Sequence, residues 1–270
     1  MKTAGKISIA ILIVISLLSL FAPFITKYDP DIIDLDSLKE SPSLKHPLGT
    51  DAKGRDMLAR ILYGGRISMS VAIIAAVLSM VIGLIVGICS GYFGGKIDTA
   101  VTAFIDLILS FPALLLAIGI SIIFSPGIYT VMIAIAAIGW APFARIIRGN
   151  VLTLREANFI EAARSIGCSN PRILFVHLMP QCIPLLLVIT GMKMGGYILT
   201  EAALSFLGLG VQPPTATWGS MINASRAYIS SAPWMVFYPG IMIALTAFCF
   251  NMLGDTLRDK YGLKIRGQLL

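Results

Sequence analysis

Six runs of about twenty apolar residues, separated by short charged or Gly/Pro-rich breaks, leave this 270-residue chain few ways to fold. They lie at about 7–26, 69–91, 100–124, 128–148, 183–205 and 235–256. Each is long enough for a helix crossing ~30 Å of hydrocarbon, which takes ~20 residues. Lipid offers the backbone no hydrogen-bond partner, so such runs must be helical. The expectation is an all-α membrane protein, a six-helix bundle in one domain. Composition agrees, because only 13% of residues are charged and the mean hydropathy is +0.86, whereas a soluble domain carries about 25% charged residues.

The first run follows Lys2 and Lys6 in the manner of a signal peptide. It is longer than the ~7–15 residues of a signal h-region and no small-x-small site follows it, so it reads as a retained span. Three regions result: residues 1–68, with the first span and an outer loop ending in an interfacial helix over 54–63; a five-helix core over 69–256 that includes a polar loop at 149–182; and a tail over 257–270. Cys89, Cys168, Cys182 and Cys249 form no close pair, and His46 and His177 have no ligand-like spacing around them. Small core residues are the reading for the cysteines, with no disulfide, metal or cofactor site.

Orientation comes from Lys and Arg in the loops. With six spans both termini share a side, which carries twelve basic residues, among them Lys96, Arg155, Arg164, Arg172 and Arg258. The other side carries eight, seven of them in the first outer loop. The bias puts both termini and the 149–182 loop in the cytoplasm, in a multi-pass membrane protein. The net charge of +7 then reflects those loops rather than nucleic-acid binding.

The loop is the longest polar interruption in the second half of the chain. From Glu156 to Ile166 it has good helix formers, with Phe159, Ile160, Ala163 and Ile166 near one face. Gly167 suits a left-handed cap. Ser169 or Asn170 then caps a second helix with Pro171 at its start, and Pro180 closes it. Two striped helices with a fixed bend make either a docking shape or a connector lying on headgroups.

Here the residues carry a resemblance. Glu161-Ala162-Ala163, then Gly167, Ile173 and His177-Leu178-Met179-Pro180 resemble the EAA loop of ABC importer permeases. The likeness extends over about 210 residues. Leu48-Gly49-Thr50-Asp51, Gly54-Arg55-Asp56, Phe111-Pro112, the run Leu204-Ser205-Phe206-Leu207-Gly208-Leu209-Gly210, Pro213-Pro214, Trp218-Gly219 and Gly254-Asp255 with Arg258-Asp259 are all similar to the dipeptide/oligopeptide/nickel branch, in its shorter C-type permease. The tail departs from that branch, which often continues Leu-Asp-Pro where this chain has Tyr261-Gly262-Leu263-Lys264.

The resemblance implies a type I, MetI-like six-helix permease whose loop sits in a cleft of an ATPase, with Glu161, Ala162, Ala163, Gly167, Ile173, His177 and Pro180 as coupling residues. It also implies a second homologous permease, two cytoplasmic ATPase subunits that hold ATP and Mg, and an extracytoplasmic solute-binding protein facing 204–234. Peptide is the first solute class, nickel or a metal–chelator complex the alternative.

The chain itself has no phosphate-binding G-x-x-x-x-G-K-[ST], since its one Gly-Lys, Gly95-Lys96, is followed by Ile97. An importer would take its energy from a partner. Asp106, Lys193 and Glu201 are ionisable residues within spans, where burying charge is costly. They are candidates for a translocation path or for an intramembrane pair that fixes packing. Two other classes use the same residues. A polytopic enzyme would need Asp106, Glu201 or His177 to converge as acid–base groups, and an ion-coupled transporter would need Lys193 and Glu201 together in matched broken helices. Gly83, Gly87 and Gly91, spaced by four, read as a packing stripe.

Overall fold

In the computed structural model of the chain, residues 3–261 are described, and the remainder of the tail lies outside them. The first span is α1 (Thr3–Leu20), followed by the single turn α2 (Ala22–Ile25), which contains Pro23. An irregular outer segment with a 3-10 turn at Leu35–Ser37 leads to α3 (Met57–Phe93). Asp56 caps this helix by accepting the Ala59 amide at 2.7 Å, and Gly94 ends it at φ +66°. Its 37 residues reach ~56 Å at ~1.5 Å per residue, well beyond one bilayer core.

The interfacial helix expected over 54–63 is therefore not a separate element. From Met57 it is the opening of α3, with Met57, Ala59, Ile61 and Leu62 buried against protein rather than headgroups. Met57 and Ile61 pack with Ala216, Met221, Ala232 and Met235 from the second outer segment and the last span.

The third expected span is broken. It consists of α4 (Gly95–Leu109) and α5 (Ala113–Ile123), bent by 92° at Ser110-Phe111-Pro112. Pro112 disfavours a helical conformation at Phe111, which forces the break there. The Ser110 amide and hydroxyl close the end of α4, donating to Asp106 O at 2.9 Å and Leu107 O at 2.7 Å.

After α6 (Ile128–Leu154) come α7 (Asn158–Ser165), α8 (Asn170–Arg172), a π-helical turn (Ile173–Leu178) and α9 (Met179–Phe206). From Asn170 to Phe206 the chain is one 37-residue helical run. Pro180 does not close the second loop helix as expected. The π turn just before it shifts the hydrogen-bond register where the proline has no N–H to give. The outer segment that follows holds α10 (Trp218–Ser225) and a 3-10 turn (Arg226–Tyr228), and α11 (Trp234–Tyr261) is the last span.

Glycine contacts set the directions of the helices. A Cβ on Gly83 would lie 2.3 Å from the Phe143 Cβ, one on Gly87 2.8 Å from Ala144 O, and one on Gly91 2.9 Å from the Val151 Cβ. The expected stripe is thus the α3–α6 seam, and because both sets of numbers rise together the two helices run parallel. The broken pair between them must therefore bring the chain back across the bilayer, and it counts as a sixth crossing. Close contacts of Gly191 with Gly254, and of Gly195 with Ala247 and Asn251, show α9 antiparallel to α11. Gly5 meets Thr256, so both described ends lie on the side that carries the 155–178 loop.

Candidate functional site

The 155–178 loop is a folded unit. Its turn is a complete Schellman motif, in which Gly167 at φ +80° donates to Arg164 O at 2.9 Å and Cys168 donates to Ala163 O at 3.0 Å. The left-handed cap expected at Gly167 is present. Ile160, Ala163 and Ile173 form the buried face. Burying an isoleucine contributes ~1.5–3 kcal/mol, enough to hold α7 against the helical run that follows. Glu161, Ala162, Arg164 and Ser165 face outward, and so do Phe159 and Ile166, the latter 81% exposed. His177 is half-buried and Pro180 exposed.

Ser169 takes the N-cap position before α8 without a side-chain bond, and Asn170, the other residue expected to cap, has a partner elsewhere. Asn170 Oδ1 accepts the Tyr92 hydroxyl at 2.8 Å, from the last turn of α3. The Arg164 guanidinium stands 5.3 Å from the centre of the same Tyr92 ring. Beside it, Arg148 Nη2 donates to Asp98 Oδ2 at 2.6 Å, Ser90 donates to Asp98 at 2.5 Å, and Arg155 Nη1 reaches Gly91 O at 3.2 Å. Asn150 Nδ2 lies 3.7 Å from Cys182 Sγ. The ends of α3, α4, α6 and the α8–α9 run are thus joined by polar contacts on the loop side. Sequence periodicity had no access to these pairings, which, Ser90 with Asp98 aside, unite residues 32 to 78 positions apart.

The three intramembrane ionisable residues have separate fates. Asp106 is paired with Arg145 of α6. Glu201 is 1% exposed near the outer end of α9, where Ser205 donates to its Oε1 at 2.8 Å. Just beyond, α10 is clamped to α3, since Trp218 Nε1 donates to Ile61 O at 3.0 Å and Trp218 N to Ser68 Oγ at 3.2 Å. Lys193 does not pair with Glu201. It is half-buried and lines a cavity of ≈300 Å³ between the elbow of the broken span, α6 and α9.

On the opposite side, the outer segment is knotted around buried charge. Asp51 Oδ2 accepts Arg55 Nε at 2.8 Å and Nη2 at 2.7 Å, with Arg60 Nε at 3.6 Å. Arg60 continues to Pro30 O at 2.7 Å, and His46 Nδ1 meets Asp56 Oδ2 at 2.8 Å. Gly54 takes φ +74° where a Cβ would fall 1.7 Å from Asp34 O, so the Gly54-Arg55-Asp56 motif is in part a steric requirement. The Ser37 hydroxyl and then the Asp36 amide hold the Asp34 carboxyl below the usual carboxylate range.

Residues 79–266 match the family described as binding-protein-dependent transport system inner membrane component. Residues 2–47 match the N-terminal transmembrane domain of oligopeptide transport permease C. The glutathione transport system permease protein GsiD of Escherichia coli O157:H7 is 41% identical over 268 residues, covering 99% of this chain and 88% of that one. Its counterpart in Salmonella typhimurium is 42% identical over 265 residues, covering 98% and 86%. Among solved structures, an inward-facing MetNI methionine ABC transporter matches with a TM-score of 0.61 at 17% identity, over 75% of this chain and 97% of that one.

Proposed function

The chain belongs to the family of binding-protein-dependent transport system inner membrane components, and from that premise we propose that its 156–180 loop receives the closure of a cytoplasmic ATPase and passes it to the spans. The protein is the membrane-spanning permease subunit of an ATP-driven importer for peptide-type solutes. It is not an enzyme; ATP hydrolysis belongs to a separate subunit.

One observation carries the coupling role. The outward face of α7, with Glu161, Ala162 and Ser165, is joined through the Gly167 turn to a helical run that continues without a break into the fifth span. A push on α7 therefore acts on ~56 Å of helix, and the Tyr92 and Arg164 contacts carry it to α3 as well. Rigid-body rocking of packed helices is the expected response. Ala163, Gly167 and Ile173 keep the shape of the loop in this account, while Glu161, Ala162, His177 and Pro180 lie toward the ATPase. The loop and both described ends face the cytoplasm, in keeping with the Lys and Arg bias.

The assembly proposed around the chain has a second homologous permease, two ATPase subunits carrying ATP and Mg, and an extracytoplasmic binding protein that meets the 26–56 and 207–233 segments. Dipeptides and oligopeptides, a class that includes glutathione, are the proposed solutes, supported by the 41% identity to a glutathione permease. Nickel or a metal–chelator complex is the competing cargo.

Reconstitution of the chain with these partners in proteoliposomes tests the reading. ATP-dependent uptake of a labelled dipeptide, competed by glutathione and not by nickel, is expected. Uptake driven by an ion gradient with this chain alone would overturn it.

A further inference from the structure

We propose that the cavity at the elbow of the broken span is a carboxylate-binding subsite, in which Lys193 holds an acidic group of the passing solute near the middle of the bilayer. The proposal rests on the permease reading above and names what the pathway recognises.

The depth is fixed by three helices meeting at one level. A Cβ on Gly139 of α6 would lie 2.3 Å from Ser79 Oγ of α3 and 2.4 Å from Tyr197 Oη of α9, about halfway along each crossing. Lys193 is one turn from Tyr197, with ten to twelve residues of the expected span 183–205 on either side. That is ~15–18 Å of helix, beyond what a snorkelling lysine covers to reach water.

A cation at this depth needs a counter-charge or a polar cavity. The Lys193 ammonium has no hydrogen bond or ion pair with any described residue. The acids within the expected spans have other partners, Asp106 in Arg145, Glu201 in Ser205 and Asp255 in Arg258. The missing negative charge therefore comes from outside the described residues.

The walls of the cavity suit an anion end-group. Tyr197 and Thr200, four and seven residues after Lys193, line the cavity from the same helix face, their hydroxyls donating to Gly139 O at 3.4 Å and Gly196 O at 2.9 Å. Opposite stand Phe111 and Ala113, where α5 begins. The cap position there is Pro112, whose side chain accepts no hydrogen bond, so the first amides of α5 have neither an intrahelical acceptor nor a capping side chain. The start of a broken helix and a lysine facing one cavity supply the positive ends that anionic groups occupy in discontinuous spans. The rest of the lining, including Leu109, Ile135 and Ile138, is apolar. A volume of ≈300 Å³ is at the small end of ligand pockets and holds the carboxyl end of a short peptide rather than a whole chain.

The complete complex, purified in detergent without binding protein or ATP, provides the test. Dialanine and its C-terminal amide are compared by equilibrium binding in the wild type, Lys193→Gln and Lys193→Arg. The wild type is expected to bind dialanine at least tenfold tighter than the amide, with the preference lost in Lys193→Gln and largely kept in Lys193→Arg. Equal binding of acid and amide by the wild type overturns the proposal without relying on any variant. A preference that survives Lys193→Gln also overturns it. So does release of the second permease from Lys193→Gln with retention in Lys193→Arg, because the carboxylate would then be that partner's side chain. Failure of the permease reading shows itself separately, as wild-type complex that does not take up solute with ATP.

Discussion

The Tyr92 hydroxyl donates a 2.8 Å hydrogen bond to Asn170 Oδ1, tying the last turn of α3 to the first residue of the α8–α9 run. One bond thus joins the loop-side end of a span to the start of the helix proposed to carry the loop's motion. Tyr92→Phe keeps the ring under Arg164 and removes only the bond, a loss of ~0.5–1.5 kcal/mol. Transport per ATP hydrolysed should fall about 2- to 10-fold while ATPase association persists. The ratio of solute moved to phosphate released in proteoliposomes measures this.

The α3–α6 seam leaves no room for a side chain at Gly87, whose Cβ would stand 2.8 Å from Ala144 O and 2.9 Å from the Ile147 Cβ. Gly87→Ala should cost ~1–3 kcal/mol through overpacking. Gly119, with nothing within 4 Å of its Cβ, should accept alanine with little change. Thermal unfolding midpoints of the two variants in detergent compare them directly.

Asp51 meets two arginines, and both it and they are nearly buried. Removing one member of such a cluster costs ~3–5 kcal/mol, because the remaining charges are left unpaired. Asp51→Ala should open the 26–56 segment to protease on the outer face and lower uptake from the binding protein. Limited proteolysis of right-side-out vesicles reads the first effect.

The six-crossing topology follows from the parallel course of α3 and α6, which requires α4 and α5 to recross the bilayer despite their 92° bend. A cysteine at exposed Ser169 should react with an impermeant thiol reagent only from the cytoplasm, and one at exposed Thr215 only from outside. The reverse pattern would invert the orientation.

The apolar runs and the glycine stripe were legible because both are periodic features of local sequence. Gly167 was legible as a cap because a left-handed turn selects glycine. The elbow at Phe111-Pro112 was not, since the apolar run continues through it and only the proline marks the break. The fusion of the 54–63 segment with α3, and of the second loop helix with α9, also escaped. Each depends on what the helix packs against, and Pro180 signals a stop that the π turn absorbs. The partner of Asp106 lies 39 residues away on another helix, a distance at which sequence spacing carries no information.

The most direct measurement is co-purification of the ATPase with two loop variants. Glu161→Arg reverses a charge on the outward face of α7. Gly167→Val strains a turn at φ +80° that has nothing within 4 Å of the added Cβ, so it alters loop shape without a clash. A valine forced into this region costs ~1–2 kcal/mol. Both variants should lose most of the ATPase; Glu161→Arg should keep the wild-type unfolding midpoint, and Gly167→Val should lower it by only a few degrees. Intact ATPase association in both would contradict the coupling role of the loop.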